Sequence, residues 1–205
     1  MLLKRAFDIT VSAAALLLLW PLIAVLALVI AIDSRRPVFF TQERVGRHFR
    51  RFRLWKFRTM SAGAAGPPIT LAGDPRITRA GRFLRASKLD ELPQLWNVLR
   101  GDMSLVGPRP ELPRYVEMFH ERYAAVLELR PGLTDTASIR YRDEERVLAA
   151  AADPLTEYTE RVLPDKITLA EEYVRTRSFA ADLGILMRTL WAIVARQVSP
   201  AWQDR

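Results

Sequence analysis

The chain has 205 residues and half of them are apolar, which is enough for one domain with a buried core and an apolar segment besides. It carries 31 lysine and arginine residues against 23 aspartate and glutamate residues, a net charge of +8. Such an excess favours an anionic partner, such as anionic lipid, nucleic acid or a phosphorylated substrate, or it serves solubility alone. The absence of cysteine excludes disulfides and thiolate metal sites, and the two histidines disfavour a multi-histidine metal site.

The first element is an apolar segment that is long enough to cross a bilayer. Residues 11–32 contain no charge, and at about 1.5 Å per residue a helix over them would extend about 33 Å. This is long for a cleaved signal peptide, and no clear small-residue cleavage site closes it. Pro21 lies at the centre and predicts a kink. Basic residues flank both ends, so the positive-inside bias gives no orientation. A straight span and a helix that returns to the same face both fit. These flanking residues are Lys4, Arg5, Arg35 and Arg36.

Two extended segments around a turn are predicted next, over residues 35–46 and 52–60. Aromatic residues alternate there with basic ones, and residues 44–58 contain no acid. This pattern fits a surface that faces phosphates, and it also fits a basic surface that attracts anionic lipid headgroups. The basic residues are Arg44, Arg47, Arg50, Arg51, Arg53, Lys56 and Arg58.

Helical patterns dominate the rest of the chain. Residues 61–76 are rich in glycine, alanine and proline and predict a loop. The next helical stretch breaks near Pro93 and stops at Gly101, and residues 110–134 contain one or two further helices. Over residues 179–198 a stripe recurs at helical spacing, which fits either a helix in a membrane interface or a core helix. The stripe consists of Leu183, Met187, Leu190, Val194 and Val198.

Asp90 and Glu91 stand side by side in a basic region. Neighbouring helical residues point about 100° apart, so two adjacent carboxylates can serve different partners. One of them can bind a hard cation such as Mg²⁺, and the other can act as a nucleophile or a base. Arginines nearby suit the phosphate oxygens of a substrate, because the guanidinium fork binds them in pairs. A diphosphate substrate on a metal is therefore chemically coherent here.

These segments resemble a known family. The matching stretches are VFFTQERVG, KFRTM, DPRITRAGRFLR, LDELPQLWNVLRGDMSLVGPRPE and PGLT, and weaker matches continue through EEYV and DLGILMRTL. The long stretch over residues 89–111 is the most specific of them. On these motifs the chain is similar to the bacterial sugar transferases known as monotopic phosphoglycosyl transferases, or polyprenol-phosphate glycosyl-1-phosphate transferases.

The resemblance implies an α/β fold that is mostly helical with a small β element. A re-entrant membrane helix, kinked at Trp20 and Pro21, would occupy residues 1–35, which favours the returning helix over the straight span. A catalytic domain with amphipathic interfacial helices would occupy residues 36–205. The implied location is the inner (cytoplasmic) membrane, with a monotopic topology and the catalytic domain on the cytoplasmic face.

The implied activity is transfer of a sugar-1-phosphate from a nucleotide diphosphate sugar, usually a UDP-sugar, to undecaprenyl phosphate. UMP leaves, and the reaction is the first membrane step in the assembly of an exopolysaccharide, O-antigen or glycoprotein glycan. By the same resemblance, Asp90 attacks the sugar-linked phosphate and carries a covalent phosphosugar, and Glu91 holds Mg²⁺, the implied cofactor. The implied partners are the UDP-sugar, undecaprenyl phosphate, membrane lipids and a second copy in a homodimer, without nucleic acid. The residues implied to bind phosphate or nucleotide are Lys56, Arg58, Arg85, Pro108, Arg109 and Pro110.

Three departures from the family pattern concern geometry and specificity. Tryptophan precedes Pro21, where serine usually stands and would accept a freed backbone hydrogen bond. Asp135 follows Thr134 where glycine is common, so a glycine-dependent turn is expected to differ. The later glycine-arginine segment is replaced by SIRYRDEE, in which Arg140 and Arg142 are loose candidates for sugar or phosphate contacts.

Two other functional classes compete with the transferase. A membrane-tethered binding module for anionic lipid or nucleic acid explains the charge and the aromatic residues but gives Asp90 and Glu91 no role. A metal-dependent phosphohydrolase would use the same carboxylates with water in place of the lipid acceptor. Lipid-dependent release of UMP separates the three.

Overall fold

The computed structural model describes residues 2–34, 37–61, 63, 66 and 69–195, with the side chains of residues 194 and 195 left aside. Helices dominate this part of the chain and the strands are few and short, which confirms the predicted mostly helical α/β fold with a small β element. The helices are α1 (Leu2–Ser34), α2 (Arg79–Ser87), α3 (Gln94–Arg100), α4 (Pro113–Met118), α5 (His120–Val126), α6 (Thr136–Arg140), α7 (Glu144–Ala150), α8 (Pro154–Glu157), α9 (Leu163–Thr176) and α10 (Phe179–Ala195). The strands are β1 (Phe39–Val45), β2 (Arg51–Phe57), β3 (Ser104–Val106) and β4 (Gly132–Thr134).

Helix α1 packs one face along the rest of the molecule and exposes the other. Its length and apolar composition would suffice to cross a membrane. Asp8, Ser12, Leu26 and Ile30 are its buried residues. Since 18 residues make five turns, Asp8 lies directly in line with Leu26, and Ser12 with Ile30. The helix therefore contacts the body near both ends, with a broad apolar face turned outward.

The outward face of α1 holds the residues of the predicted kink. Trp20 and Pro21 are both exposed, and Pro21 lies inside the helix, where its missing N–H removes one backbone hydrogen bond. Leu17 and Leu18 are exposed on the same part of the helix. An apolar surface of this size is unusual on a molecule surrounded only by water.

Both ends of α1 are fixed to the same body. At its start, the Arg5 guanidinium donates to the carbonyl oxygen of Val98 at 2.7 Å. At its end, the Arg58 guanidinium donates to the carbonyl oxygen of Ser34 at 2.7 Å. Leu26 and Ile30 also share one apolar cluster with Phe57, so α1 and the following residues have a common core. The boundary at residue 35 stays a prediction.

The two predicted extended segments form a hairpin. β1 and β2 are antiparallel, with Phe39 opposite Phe57 and Val45 opposite Arg51. The short turn between them places His48 and Phe49 at positive φ. The hairpin brings Lys56, the last but one residue of β2, alongside the segment that carries Asp90 and Glu91.

A second, parallel pair of strands fixes the segment Pro108–Pro110. Ser104 of β3 lies opposite Gly132 of β4, and the two backbones come very close just beyond that point. A Cβ atom added to Gly132 would lie 2.1 Å from the backbone nitrogen of Gly107, so only glycine fits there. This close approach holds the Pro-Gly-Leu-Thr segment against the residues that lead to Arg109.

The last helix exposes its apolar stripe. Leu183, Met187 and Leu190 are 47, 59 and 57 % exposed, and Trp191 is 68 % exposed. The stripe therefore does not lie in the core, which contradicts the core-helix interpretation and fits an amphipathic surface helix. Buried Ile185 and Ala192 face the body instead. The side chains of Val194 and Val198 lie outside the described residues, as do Arg35 and Arg36 near the other helix.

Candidate active site

Asp90 and Glu91 lie in a tight turn between two helices. Helix α2 ends at Ser87, and Lys88 adopts a left-handed conformation with φ 58° that reverses the chain direction. A single 3₁₀ turn, Leu89–Glu91, follows, and α3 begins only after Pro93, as the position of this proline predicts. Leu89 and Leu92 pack into the apolar clusters on either side of the turn. The two carboxylates are thus fixed by burial of their apolar neighbours.

Glu91 is bound by two cations. Its Oε1 accepts from Arg109 Nη2 at 2.8 Å and from Lys56 Nζ at 3.1 Å. Burial by itself would raise the pKa of the Glu91 carboxyl, but the charges of Arg109 and Lys56 outweigh burial and hold that pKa well below its usual value. Glu91 is therefore a fixed negative charge.

Asp90, unlike Glu91, has a carboxylate oxygen that no side chain or backbone group in the described part of the chain binds. Its side chain is 7 % exposed, and Oδ1 is buried without a hydrogen bond from any residue that the structure describes. Burial raises the pKa of the Asp90 carboxyl, while the positive charge of Lys56 opposes part of this rise. A buried carboxylate oxygen without a partner costs free energy, so a ligand that contacts Oδ1 would remove this cost and bind favourably here.

Arg109 is oriented by groups on both sides. Its backbone N–H donates to Asp135 Oδ2 at 3.1 Å, and its Nη1 lies 3.4 Å from Ser138 Oγ. The negative charge of Glu91 raises the pKa of the Arg109 guanidinium above its usual range, and burial opposes part of this rise. Lys56 is partly buried, and desolvation lowers the pKa of its ammonium group while Glu91 opposes the change.

The two prolines of the Pro-Arg-Pro segment contribute through their backbones. The carbonyl oxygen of Pro108 accepts from the Gly132 N–H at 2.9 Å, and that of Pro110 accepts from Arg44 Nη1 at 3.2 Å. Proline removes a backbone donor and restricts the chain at both sides of Arg109. The segment is therefore held in a fixed path.

Arg85 and Arg58 lie further from the carboxylates. Arg85 Nε donates to Glu145 Oε1 at 3.1 Å, its Nη2 contacts the same oxygen, and its Nη1 lies 3.3 Å from Thr59 Oγ1. Its charge still lowers the pKa of Asp90, although less than the charges of Lys56 and Lys88 do. Arg58 is buried at the end of α1, where it binds Ser34. Of the predicted site residues, Lys56, Glu91 and Arg109 are thus the ones whose side chains contact one another directly, through Glu91.

Sequence analysis missed several residues around the site. Asp135 caps α6 by accepting from the Ser138 N–H at 2.6 Å and also binds Arg109. The Asp-x-x-Ser spacing is a helix N-cap pattern and was a usable signal. The φ of Asp135 is −156°, an ordinary extended conformation that does not need the glycine of the family pattern. Glu145 gave no such signal, because its partner Arg85 lies 60 residues away.

The segment that replaces the family's glycine-arginine motif makes contacts within the fold. Arg140 Nε lies 3.5 Å from Asp165 Oδ2, and Arg142 donates to the carbonyl oxygen of Ala192. These contacts tie α6 to α9, and the turn after α6 to α10. None of these contacts involves Asp90 or its neighbours.

The residues present fit a magnesium ion that is shared with a substrate. The described residues contain no group of three or more His, Cys, Asp or Glu side chains that could hold a metal by themselves. Mg²⁺ usually takes one or two carboxylates and completes its shell with water and substrate phosphates. Asp90, with its unpartnered Oδ1, and Glu91 supply such a pair. A site of this kind forms fully only with the phosphates in place.

A family described as bacterial sugar transferase matches residues 1–196 of the chain. The chain belongs to this family. This bacterial sugar transferase is 41 % identical over 199 residues to a protein from Komagataeibacter xylinus named undecaprenyl-phosphate glucose phosphotransferase, covering 93 % of the chain and 35 % of that protein. It is 40 % identical over 192 residues to a protein from Caulobacter vibrioides named UDP-glucose:undecaprenyl-phosphate glucose-1-phosphate transferase, covering 91 % of the chain and 68 % of that protein.

A relative from Escherichia coli K12 has the same name as the Caulobacter protein. The sugar transferase described here is 38 % identical to it over 196 residues, which cover 93 % of the chain and 40 % of that relative. The chain thus spans about a third to two thirds of the length of these relatives. The matched part includes Asp90, Glu91 and the Pro-Arg-Pro segment.

Proposed function

We propose that this sugar transferase moves a sugar-1-phosphate from a UDP-sugar to undecaprenyl phosphate. The observation that carries the proposal is the pair of neighbouring carboxylates. Asp90 has a buried oxygen without a hydrogen-bond partner among the described residues, and the negative charge of Glu91 is balanced by Lys56 and Arg109. The names of three relatives, which act on undecaprenyl phosphate, support the choice of acceptor. The reaction would begin the membrane stage of bacterial glycan assembly.

The proposed chemistry has two displacements at one phosphorus atom. In the first, an Asp90 oxygen attacks the sugar-linked phosphorus, a P–O bond to Asp90 forms, and the bond from this phosphorus to the bridging oxygen breaks. UMP leaves with that oxygen. In the second, an oxygen of undecaprenyl phosphate attacks the same phosphorus and the bond to Asp90 breaks. The products are undecaprenyl-diphospho-sugar and the regenerated carboxylate.

The cations around Asp90 suit this chemistry. A carboxylate that approaches an anionic diphosphate is repelled, and fixed positive charges lower this cost in a site that excludes water. Arg109 and Lys56 are already ordered by Glu91, so they need little rearrangement to face the phosphates. Arg85 would act at the edge of the site. Arg58 would act only through the end of α1, which it binds.

Glu91 is the residue that would hold the proposed Mg²⁺, next to the nucleophile Asp90. When bound, the ion would supply Lewis-acid stabilisation of phosphate charge. The protein residues keep separate tasks in this scheme. Lys56 and Arg109 orient Glu91, and the apolar neighbours of the turn exclude water from Asp90.

We further propose a monotopic placement at the cytoplasmic face of the inner membrane. The outward face of α1 is apolar, yet residues at both of its ends bind the same body. A helix that crossed the bilayer would separate its ends by the full membrane thickness, and the polar body would have to follow it. A helix that enters and leaves on one side avoids this, and α10 adds a second apolar face.

The test is release of UMP by the purified full chain from a panel of UDP-sugars, with Mg²⁺ and undecaprenyl phosphate. We expect lipid-dependent release that Asp90→Asn abolishes and that Glu91→Gln lowers strongly. Quenched samples of the wild-type protein should carry a phosphosugar on Asp90 by mass spectrometry. The exposed Glu117→Gln on α4 is the control for loss of a carboxylate.

Other outcomes of the same assay identify the competing classes. Full-rate release without lipid would indicate a phosphohydrolase, and no release from any UDP-sugar would indicate a binding module. Lipid-dependent release without an adduct would replace the covalent step by direct attack of the lipid phosphate, with Asp90 as the base.

A further inference from the structure

Three charged side chains stand in the first two turns of the otherwise apolar helix α1. Lys4, Arg5 and Asp8 all turn toward the body. In a helix whose only task is to anchor, such residues would face water or lipid headgroups. Here each of them binds a specific partner on the body, and all three contact the segments next to the candidate active site.

Asp8 is the most buried of the three, with 3 % of its surface exposed. Its Oδ2 accepts from Ser104 Oγ at 2.8 Å, and its Oδ1 accepts from the Leu105 backbone N–H at 3.1 Å. Both partners belong to β3. A buried carboxylate is costly unless its oxygens are bound, and β3 provides these bonds to Asp8.

The ammonium group of Lys4 connects α1 with three other elements, β3, α9 and α10. Its Nζ donates to the carbonyl oxygen of Val106 at 2.9 Å, contacts Asp182 and lies 3.4 Å from the Tyr173 hydroxyl. An ammonium has three donors, and these partners can use all of them. Tyr173 also donates to Asp182 at 2.6 Å, so α9 and α10 close the group around the end of β3.

Arg5 binds the end of α3. Its Nη1 and Nη2 donate to the carbonyl oxygens of Val98 and Leu99 at 2.7 and 2.9 Å. These carbonyls lie in the last turn of the helix, where a positive charge is favourable, and the Val98 carbonyl also accepts from the Gly101 N–H at 3.1 Å. Helix α3 is the helix that comes directly after Asp90 and Glu91.

Lys4, Arg5 and Asp8 therefore each have a partner on one of the two segments that flank the site, β3 or α3. Val106, the residue that Lys4 holds, precedes Arg109 by three positions. We infer that Lys4 and Asp8 are positioning residues, through which the apolar helix α1 fixes β3 and the Arg109 that follows it. The effect on activity rests on the proposed function, whereas the effect on β3 does not.

In the competing interpretation, Lys4, Arg5 and Asp8 serve only to orient α1 in the membrane. Positive charges at the end of an apolar helix orient it in the membrane by their number and need no particular partner, and acidic residues contribute little to this bias. That interpretation gives the buried Asp8 no role. It also predicts that a lysine can move to a neighbouring position without effect.

The first experiment compares Asp8→Asn with Asp8→Leu in the full chain in detergent micelles. Both variants lose the same charge, but only asparagine can accept a hydrogen bond from the Leu105 N–H. We expect faster hydrogen exchange at the Gly107 and Arg109 amides in Asp8→Leu than in Asp8→Asn. We also expect kcat/KM for UMP release to fall roughly 100-fold in Asp8→Leu, since small misplacements of reacting groups cost about that much. Thr10→Leu, on the exposed side of the same turn, is the control for the added apolar group.

The second experiment moves the lysine and keeps the charge. The double variant Leu3→Lys with Lys4→Leu has the same net charge at the same end of α1, and Leu3 is exposed and can take a lysine. We expect unchanged flotation with liposomes, faster exchange at the Arg109 amide and a lower kcat/KM. This arm also keeps the hypothesis testable if Asp8→Leu does not fold.

The outcomes separate this inference from the proposed function. Wild-type exchange at Gly107 and Arg109 in both Asp8→Leu and the double variant would overturn the positioning role. So would a double variant that loses flotation but keeps its exchange pattern, since its lysine would then act on the membrane alone. If the wild-type protein releases no UMP, the proposed function fails, and the exchange data still decide the role of Lys4 and Asp8.

Discussion

Arg85, at the edge of the site, is held by its partner Glu145. The pair joins the end of α2 to the first turn of α7, and both side chains are partly exposed. If Arg85 contacts the substrate diphosphate, Glu145 keeps its guanidinium in place before the substrate arrives. Glu145 then belongs to the site, although no motif points to it.

For Glu145→Gln we therefore expect a KM for the UDP-sugar that rises about 2- to 5-fold with little change in kcat, because partly exposed ion pairs contribute about 0.2–1 kcal/mol. Steady-state kinetics of UMP release measure both constants. A lower KM would mean that Glu145 competes with the substrate for Arg85. Glu117→Gln, exposed on α4, is the matched control.

Glu111 gives a pH-dependent prediction. Burial alone would raise the pKa of its carboxyl, but Arg44, Lys166, the Leu112 N–H and the Tyr158 hydroxyl outweigh burial and lower the pKa below the ordinary value of 4.5. The folded state therefore binds a proton on Glu111 less readily than the unfolded state does. Its contribution to stability is present above about pH 4.5 and is lost as the pH falls below that value.

We expect Glu111→Gln to lower the unfolding free energy at pH 7 by about 1–3 kcal/mol, which is typical of a broken buried network. The difference from the wild type should shrink as the pH falls below 4.5. Thermal unfolding in detergent at pH 7 and pH 4 measures it. A difference that stays constant over this range would show that the charge of Glu111 is not what stabilises the fold.

At the scale of elements, the sequence predicted the parts whose signals are local. The hairpin, the break at Pro93, the stop at Gly101 and the two helices after Leu112 arise from alternation, proline and glycine, and the structure confirms them. The contact of Arg58 with Ser34 and the placement of Lys88 at positive φ depend on tertiary packing. No local pattern encodes them. The sequence also left open whether the stripe of α10 is buried or exposed, because this depends on how the helix packs against the other elements.

The path of α1 gives a prediction at this scale. The chain lacks cysteine, so single cysteines at Leu2 and Pro37, both exposed, can be labelled selectively. In sealed inverted membrane vesicles we expect an impermeant thiol reagent to label both positions without detergent. Labelling of one position only, with the other requiring detergent, would establish a helix that crosses the bilayer.

At the scale of the whole molecule, one face of α1 belongs to the core. Leu26 and Ile30 form one apolar cluster with Phe57 and Leu84, and Phe7, Ala15 and Leu16 pack against another that contains Val98 and Met103. A sequence pattern shows that a segment is apolar, but not that it shares its core with the rest of the chain. The division at residue 35 stays a prediction, and the apolar clusters extend across it.

Removal of residues 2–34 should then cost more than membrane attachment. Phe57 and Leu84 would become exposed, and each large apolar side chain that is uncovered costs about 1.5–3 kcal/mol. We expect the shortened protein to aggregate or to lack a cooperative thermal transition, as judged by gel filtration and circular dichroism beside the full chain in detergent. A soluble monomer with a sharp transition would contradict a shared core.

The bond between Lys4 and Asp182 also has a consequence for biosynthesis. The two residues are 178 positions apart, so at about 5–20 residues per second the ribosome needs roughly 10 to 35 s between them. During this interval the apolar part of α1 can already enter the lipid, whereas Lys4 still lacks the helix that carries Asp182. The partners of Asp8 are 96 and 97 positions away and are made about half-way through. The nascent chain must therefore keep the Lys4 ammonium group hydrated at the membrane surface until nearly all of the described residues have been made.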